Sequence, residues 1–251
     1  MIEFFIPSFL GETSVREKRI KAHLRQLKSM KKLPYKINIL AMDYSLEERK
    51  LFRNLFPRIK FFDIPVVYNI GEARNFLKKQ FDASTAIFAI FLDNDILIDT
   101  KFPYHCLAEK TTNIPIIFPD FVTKLPDKKE YFDGLFPSLS LERREFNGRC
   151  FMLKKDFPHN FSEKSNYVVD MEVEKWLVES PLYSSNEYPW CCTSWKAKHL
   201  CTSSNSSTWC KDRIIAENFA RQELFGNLVD SGYGRSLADD PNQKMKSIIW
   251  I

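Results

Sequence analysis

Ala86-Ile87-Phe88-Ala89-Ile90-Phe91-Leu92-Asp93-Asn94-Asp95 is the stretch on which the reading of this chain turns. Its first seven residues are apolar without alternation, the pattern of a strand covered on both faces in a parallel sheet. The run then stops on two aspartates one residue apart. Carboxylates at the end of a buried strand are costly to desolvate unless something compensates them. A hard divalent cation would do so, because Mg²⁺ and Mn²⁺ prefer carboxylate and phosphate oxygens. The competing reading is that Asp93 and Asp95 only cap the next turn, and three residues alone do not decide it.

Upstream, strand and helix signals alternate. Glu3 to Phe9 reads as a strand, followed by Gly11 and the cap candidates Thr13 and Ser14. A helix is expected from Val15 to Met30 with Ile20, Leu24 and Leu27 inward, stopped by Pro34. Lys36 to Met42 is a second strand, with Asp43-Tyr44-Ser45 as its turn. Leu46 to Phe56 is a short helix with Leu51, Leu55 and Phe56 inward, and Ile59 to Val67 a third strand. Asn69-Ile70-Gly71-Glu72 opens another helix, with Ala73, Phe76, Leu77 and Phe81 as its stripe. This order predicts an α/β fold: one domain with a mixed, mostly parallel central sheet flanked by helices. Ligands gather at the carboxyl ends of such strands, where Asp43, Asp93 and Asp95 fall.

The second half is less regular. Ile114 to Phe118 and Cys150 to Leu153 are strand candidates, and Lys124 to Asn147 reads as loop. Tyr167 to Val178 reads as a helix or strand–helix junction carrying Asp170, Glu172 and Glu174. Trp190 to Trp209 reads as irregular, and Arg213 to Phe225 as a helix ended by Gly226.

With 251 residues, 44% apolar and 27% charged, the composition is that of an ordinary globular domain. No run approaches the roughly 20 apolar residues of a membrane span, and the first residues lack the basic region of a signal peptide. A cytoplasmic protein is expected, with attachment at the inner membrane face or residence in a virus-infected cell as variants of that setting. Cys106, Cys150, Cys191, Cys192, Cys201 and Cys210 lack paired zinc spacing and fit reduced thiols. Arg16, Lys18, Arg19, Lys21, Arg25, Lys28, Lys31, Lys32 and Lys36 face a single acid, Glu17, within one segment. That segment is either a solvated helix face or a patch for an anionic partner: phosphorylated glycan, membrane headgroups or nucleic acid.

Taken together, Gly71-x-Ala73-Arg74-Asn75, the apolar strand and Asp93-Asn94-Asp95 resemble the family 2 glycosyltransferases of GT-A fold. Ile6-Pro7-Ser8-Phe9 is similar to the family's first-strand pattern, and Asp43-Tyr44-Ser45 stands where the family carries its Asp-Asp-Gly-Ser. The resemblance covers residues 3–100 and implies a nucleotide-sugar-binding part over 1–100, with acceptor and catalytic functions over 101–251. By the same resemblance Pro7 and Ser8 line the nucleoside pocket and Asp43 binds the base. Arg74 contacts the nucleotide with Asn75 supporting its loop, Asp93 faces ribose or metal, and Asp95 ligates the metal. Leu10 and Ala41-Met42 depart from the family pattern, so uridine is only the default base.

An inverting transfer needs a carboxylate to deprotonate the acceptor hydroxyl. Asp170 matches the family's acidic motif, with Glu172 in reserve and an ordinary N-cap as the competing reading. His199 stands where many GT-A enzymes complete the metal shell. Trp190, Trp195 and Trp209 fit a sugar-stacking platform or the core equally well. The expected function is a Mn²⁺- or Mg²⁺-dependent, inverting transfer from a nucleotide-diphosphate sugar to a hydroxyl of a cell-envelope glycan or glycolipid. A hydroxylated base in DNA is the alternative acceptor. A non-catalytic nucleic-acid-binding protein using residues 16–36 is the more distant alternative.

Overall fold

The computed structural model describes residues 1–11, 13–64, 68–99, 116–124, 130–132, 149–155, 157–161, 163, 173 and 191–200. In chain order the elements are β1 (Ile2–Ser8), α1 (Thr13–Met30), β2 (Lys36–Ala41), α2 (Leu46–Leu55), β3 (Lys60–Asp63), α3 (Ile70–Asp82) and β4 (Phe88–Leu92). They continue with β5 (Ile96–Ile98), β6 (Ile116–Lys124), β7 (Glu130–Phe132), β8 (Cys150–Lys154) and β9 (Cys191–His199). The strands form one mixed sheet in the order β3-β2-β1-β4-β8-β6-β9-β5, with β7 beside β6. The block β3-β2-β1-β4 is parallel throughout. β8 then enters antiparallel between β4 and β6, and β9 lies parallel to β6.

Alternate residues of the parallel block build two cores. Phe4, Ile6, Ile39, Ile90 and Leu92 face α1 and α2, meeting Leu27, Met30 and Phe52. Phe5, Leu40, Ala89 and Phe91 face the opposite way, meeting Ala73, Leu77 and Phe81 of α3. Right-handed crossovers require this placement: the chain steps from β1 outward to β3 and then returns to β4 on the other side of β1. The reversal makes the carboxyl ends of β1 and β4 the topological switch point.

Capping sets the starts of two helices. Ser45 and Glu48 form a reciprocal capping box at α2, and Asn69 with Glu72 does the same at α3.

Several expectations need correction. Phe56, at the end of α2, is buried as expected, but within the helix the inward residue is Phe52, packed on His23 and Tyr44, whereas Leu51 and Leu55 are exposed. The helix is rotated because Arg49 and Arg53 are drawn to Asp63 of β3. Ile87, within the apolar run, is half exposed and precedes β4. The stretch expected to be irregular contains β9, held by pairing with the distant strands β5 and β6. The expected loop 124–147 contains the short β7, paired with β6.

Candidate functional site

The Asp93–Ile96 turn leaves the end of β4 and is gripped from behind by α1. Gln26 Nε2 donates to the carbonyls of Asp93 (2.7 Å) and Ile96 (2.8 Å). Ile96 is free to turn its carbonyl that way because the ladder bond from Leu200 N–H to Asp95 O (3.0 Å) makes Ile96 and His199 the non-hydrogen-bonded pair. With both Gln26 N–H groups spent on carbonyls, its Oε1 must accept from His23 Nδ1 (2.9 Å). That fixes the tautomer. The proton sits on Nδ1, and among the described residues the fully buried Nε2 has no hydrogen-bond partner. Burial pushes the His23 pKa down to about 4, against the weaker pull of Gln26, the Asn94 backbone and Asp95 toward the charged form.

From the front, Asn94 ties the turn to the end of β1. Its Nδ2 donates to Ser8 Oγ (3.0 Å) and to the Phe9 carbonyl (3.2 Å). Ser8 Oγ in turn lies 2.7 Å from the buried Tyr44 hydroxyl. Burial raises the Tyr44 pKa, so the hydroxyl stays protonated.

Asp43, at the end of β2, holds the next loop. Its two carboxylate oxygens accept from the N–H groups of Leu10 and Gly11, each at 2.7 Å. Gly11 has φ +76°, a left-handed conformation, and a Cβ there would collide with the Arg19 guanidinium. Arg16 closes the cluster, bonding Asp43 Oδ2 (3.1 Å), Asp43 O (2.7 Å), Gly11 O (2.8 Å) and both oxygens of Glu48 (2.7 and 2.5 Å). The bidentate bond from Arg16 holds the Glu48 carboxyl below the usual range, and Glu48 raises Arg16 in return.

On the other face of the sheet, Arg74 of α3 is 4% exposed, and its Nη2 lies 3.5 Å from Asp93 Oδ1. The guanidinium also lies 5.7 Å and 5.6 Å from the ring centres of Phe151 and Phe161. Asn75 puts Phe161 there: its amide donates to Phe161 O (2.9 Å) and Glu163 (2.7 Å) and accepts from Phe161 N–H (2.8 Å). Pro7 is buried inside β1, opposite Leu40 of β2.

The expected site residues therefore converge in part. Ser8, Asp43, Arg74, Asp93 and Asp95 lie at the carboxyl edge of the parallel block, with Asn75 next to Arg74 on α3. Asp95 is 7% exposed, and the β5–β9 pairing brings the backbone of His199 beside it. Asp170 and Glu172 lie outside the described residues, as do Trp190 and Trp209. Val173, three residues beyond Asp170, is helical and fully buried in the core beneath α3. Sequence reasoning missed Gln26, His23, Asn94, Arg16 and Glu48. The signal for the first two was present: at helical spacing His23 and Gln26 share the inward face with Leu27 and Met30, where polar groups need partners.

The donor set suits a hard cation. Asp93 and Asp95 offer carboxylate oxygens, and Mg²⁺-type ions are commonly held by one or two carboxylates plus substrate phosphates. Among the described residues no group of three His, Cys, Asp or Glu side chains stands ready to enclose a metal unaided.

The mixed, mostly parallel sheet flanked by helices has the GT-A fold. Solved structures similar to it carry the same architecture. Residues 1–349 of S. aureus TarS in complex with UDP-GlcNAc match with TM-score 0.53 and 13% identity, over 89% of this chain and 67% of that one. The TarS complex with UDP matches with TM-score 0.53 and 13% identity, over 98% and 77%. GalNAc-T7 with UDP, GalNAc and Mn²⁺ matches with TM-score 0.57 and 10% identity, over 98% of this chain and 54% of that one. At such identities the likeness is one of fold. No family model and no curated protein matches the sequence.

Proposed function

We propose that this protein is a metal-dependent, inverting glycosyltransferase that takes its sugar from a nucleotide diphosphate, UDP by default. The observation that carries the reading is the carboxylate turn Asp93-Asn94-Asp95. It sits at the switch point, tied to β1 by Asn94 and flanked by the buried Arg74. Neighbours of the same fold bind UDP-GlcNAc, UDP and, in GalNAc-T7, Mn²⁺.

Residues 1–100 hold the donor and 101–251 supply the acceptor side. Asp93 and Asp95 would hold Mn²⁺ or Mg²⁺, which supplies charge neutralisation for the departing diphosphate. Arg74 is too buried to reach far into solvent; it acts by orienting Asp93 while its own charge is balanced there. Ser8 and Pro7 form the floor of the nucleoside pocket. Asp43 supports the loop over that floor and, through its remaining lone pairs, the base. Asp170 removes the proton from the acceptor hydroxyl as its oxygen attacks the anomeric carbon, and the nucleoside diphosphate leaves from the opposite side. Glu172 is the reserve base, and His199 is the third metal ligand. The acceptor is a hydroxyl of a cell-envelope glycan or glycolipid.

Thermal unfolding in the presence of UDP-, GDP-, CMP- and dTDP-sugars, with and without Mn²⁺, tests the reading. A metal-dependent rise in Tm with one nucleotide class supports it. No stabilisation by any of them sinks it.

A further inference from the structure

We infer that the outer surface formed by α1 and α2 docks on a membrane bearing anionic headgroups. Lys18, Lys21, Arg25 and Lys28 fall within a wedge of about 80° on α1 and extend for about 15 Å along it. This wedge is opposite the buried face of Ala22, His23, Gln26, Leu27 and Met30. Structure consumes little of this charge. Among the described residues Lys21 pairs only with Glu17, and both are largely exposed. Among the described residues, no partner engages Lys18, Arg25 or Lys28, and Lys31 and Lys32 continue the exposed charge beyond the helix end. Arg16, by contrast, is spent on Asp43 and Glu48 and does not belong to the patch.

A cationic stripe alone serves any polyanion. The neighbouring helix decides the class of partner. Leu51 and Leu55 of α2 are 42% and 41% exposed. Four residues apart, they share one flank. Arg49 and Arg53 occupy the opposite flank, drawn to Asp63 of β3, so the leucine flank is the one turned toward α1. Lys50, also exposed, lies beside them on the outer face of α2. Leucines next to a basic stripe are a cost in water and bring nothing to a phosphate backbone. At a bilayer surface they enter the headgroup boundary while the lysines meet its charge. The candidate site stays clear of this surface, because it lies at the N-terminal ends of both helices, where Arg16 and Glu48 meet Asp43. The inference is independent of the donor reading.

Co-sedimentation of the full chain with phosphatidylcholine vesicles, with and without roughly 30% phosphatidylglycerol, is the test. Binding is expected on the anionic vesicles only, falling as salt rises from about 0.1 to about 0.5 M. The Lys18→Gln/Arg25→Gln/Lys28→Gln variant should bind on the order of 100-fold more weakly, at about a fivefold loss per charge. Leu51→Ser/Leu55→Ser should bind anionic vesicles more weakly at every salt concentration and lose whatever binding survives at the higher one. Equal binding to both vesicle types, binding to neither, or binding unchanged in either variant overturns the proposal. Tight binding to a DNA duplex that survives the leucine substitutions, with no vesicle binding, gives the stripe to nucleic acid instead.

Discussion

Replacing Gln26 by Met keeps the shape of the side chain and deletes its hydrogen bonds, which makes it the sharpest probe of how the acidic turn is held. Three groups are affected. Ile96 O loses its 2.8 Å bond, His23 Nδ1–H loses its acceptor, and Asp93 O loses its 2.7 Å bond but retains the 3.3 Å bond from Ile96 N–H. A buried polar group left unpaired costs about 1–3 kcal/mol, and two are fully orphaned here, so the expected loss is about 2–6 kcal/mol. In urea, with a slope of about 2–3 kcal/mol/M, the unfolding midpoint should fall by about 1–2 M. Adding His23→Phe removes one orphan, so the double variant should recover about 1 kcal/mol relative to additivity. The same loosening should weaken Mn²⁺-dependent donor binding, because the turn carrying both carboxylates is no longer fixed. A Gln26→Met midpoint within about 0.3 M of the wild type would refute the clamp, since even one orphaned group costs more than that shift.

The remaining expectations follow from the same geometry. His23 stays neutral in the folded state down to about pH 4, whereas the unfolded chain takes up this proton near 6.5. Stability from this group is therefore complete above about pH 6.5 and is lost as pH falls toward 4, by about 3 kcal/mol in total. His23→Phe should flatten that part of a plot of urea midpoint against pH. Asp93→Asn and Asp95→Asn should remove the metal-dependent rise in Tm with donor while leaving unfolding cooperative, as read by calorimetry. Asp170→Ala should keep that rise and lower turnover by about 100-fold or more in a product assay; substantial turnover would move the base to Glu172 or elsewhere. Gly11→Ala should destabilise by more than about 1 kcal/mol in urea unfolding, since it meets both a left-handed φ and the Arg19 guanidinium.

The parallel block was legible because its signals are local. The continuous apolar run of β4 and the capped stripe of α3 each state their own structure within a dozen residues. α2 was misjudged because Leu51, Phe52, Leu55 and Phe56 form one apolar arc of about 140° on the helix wheel, wider than the face it buries. Its rotation is set by partners elsewhere in the chain, among them Asp63, on a strand yet to come. β9 was missed for a related reason: Cys191–His199 carries few strong strand formers and gains its hydrogen bonds from β5 and β6, far away in sequence. The acidic turn could be found, but what holds it could not. Gln26 and His23 lie 67 and 72 residues from the groups beside them, Asp93 and Asp95.

Three separate ties converge on the two strand ends that would cradle the donor. Gln26 fixes the Asp93–Ile96 turn from α1, Asn94 fastens that turn to Ser8 and Phe9, and Asp43 secures Leu10 and Gly11. Each uses a side chain on one element to satisfy backbone or hydroxyl groups of another, so the loops are ordered by the protein's own hydrogen bonds. Under the proposed function, a cation that neutralises the departing diphosphate would be effective only if the carboxylates holding it are already aimed, because reorientation during reaction spends the free energy it would supply. Asp93 meets that condition from two sides: its backbone is clamped by Gln26, and its carboxylate lies beside Arg74, itself seated on Phe151 and Phe161. Arg74 and Gln26 stand on opposite faces of the sheet and touch the same residue. The acidic turn is therefore where the two cores of the domain meet, and disturbing either core should be felt first at Asp93.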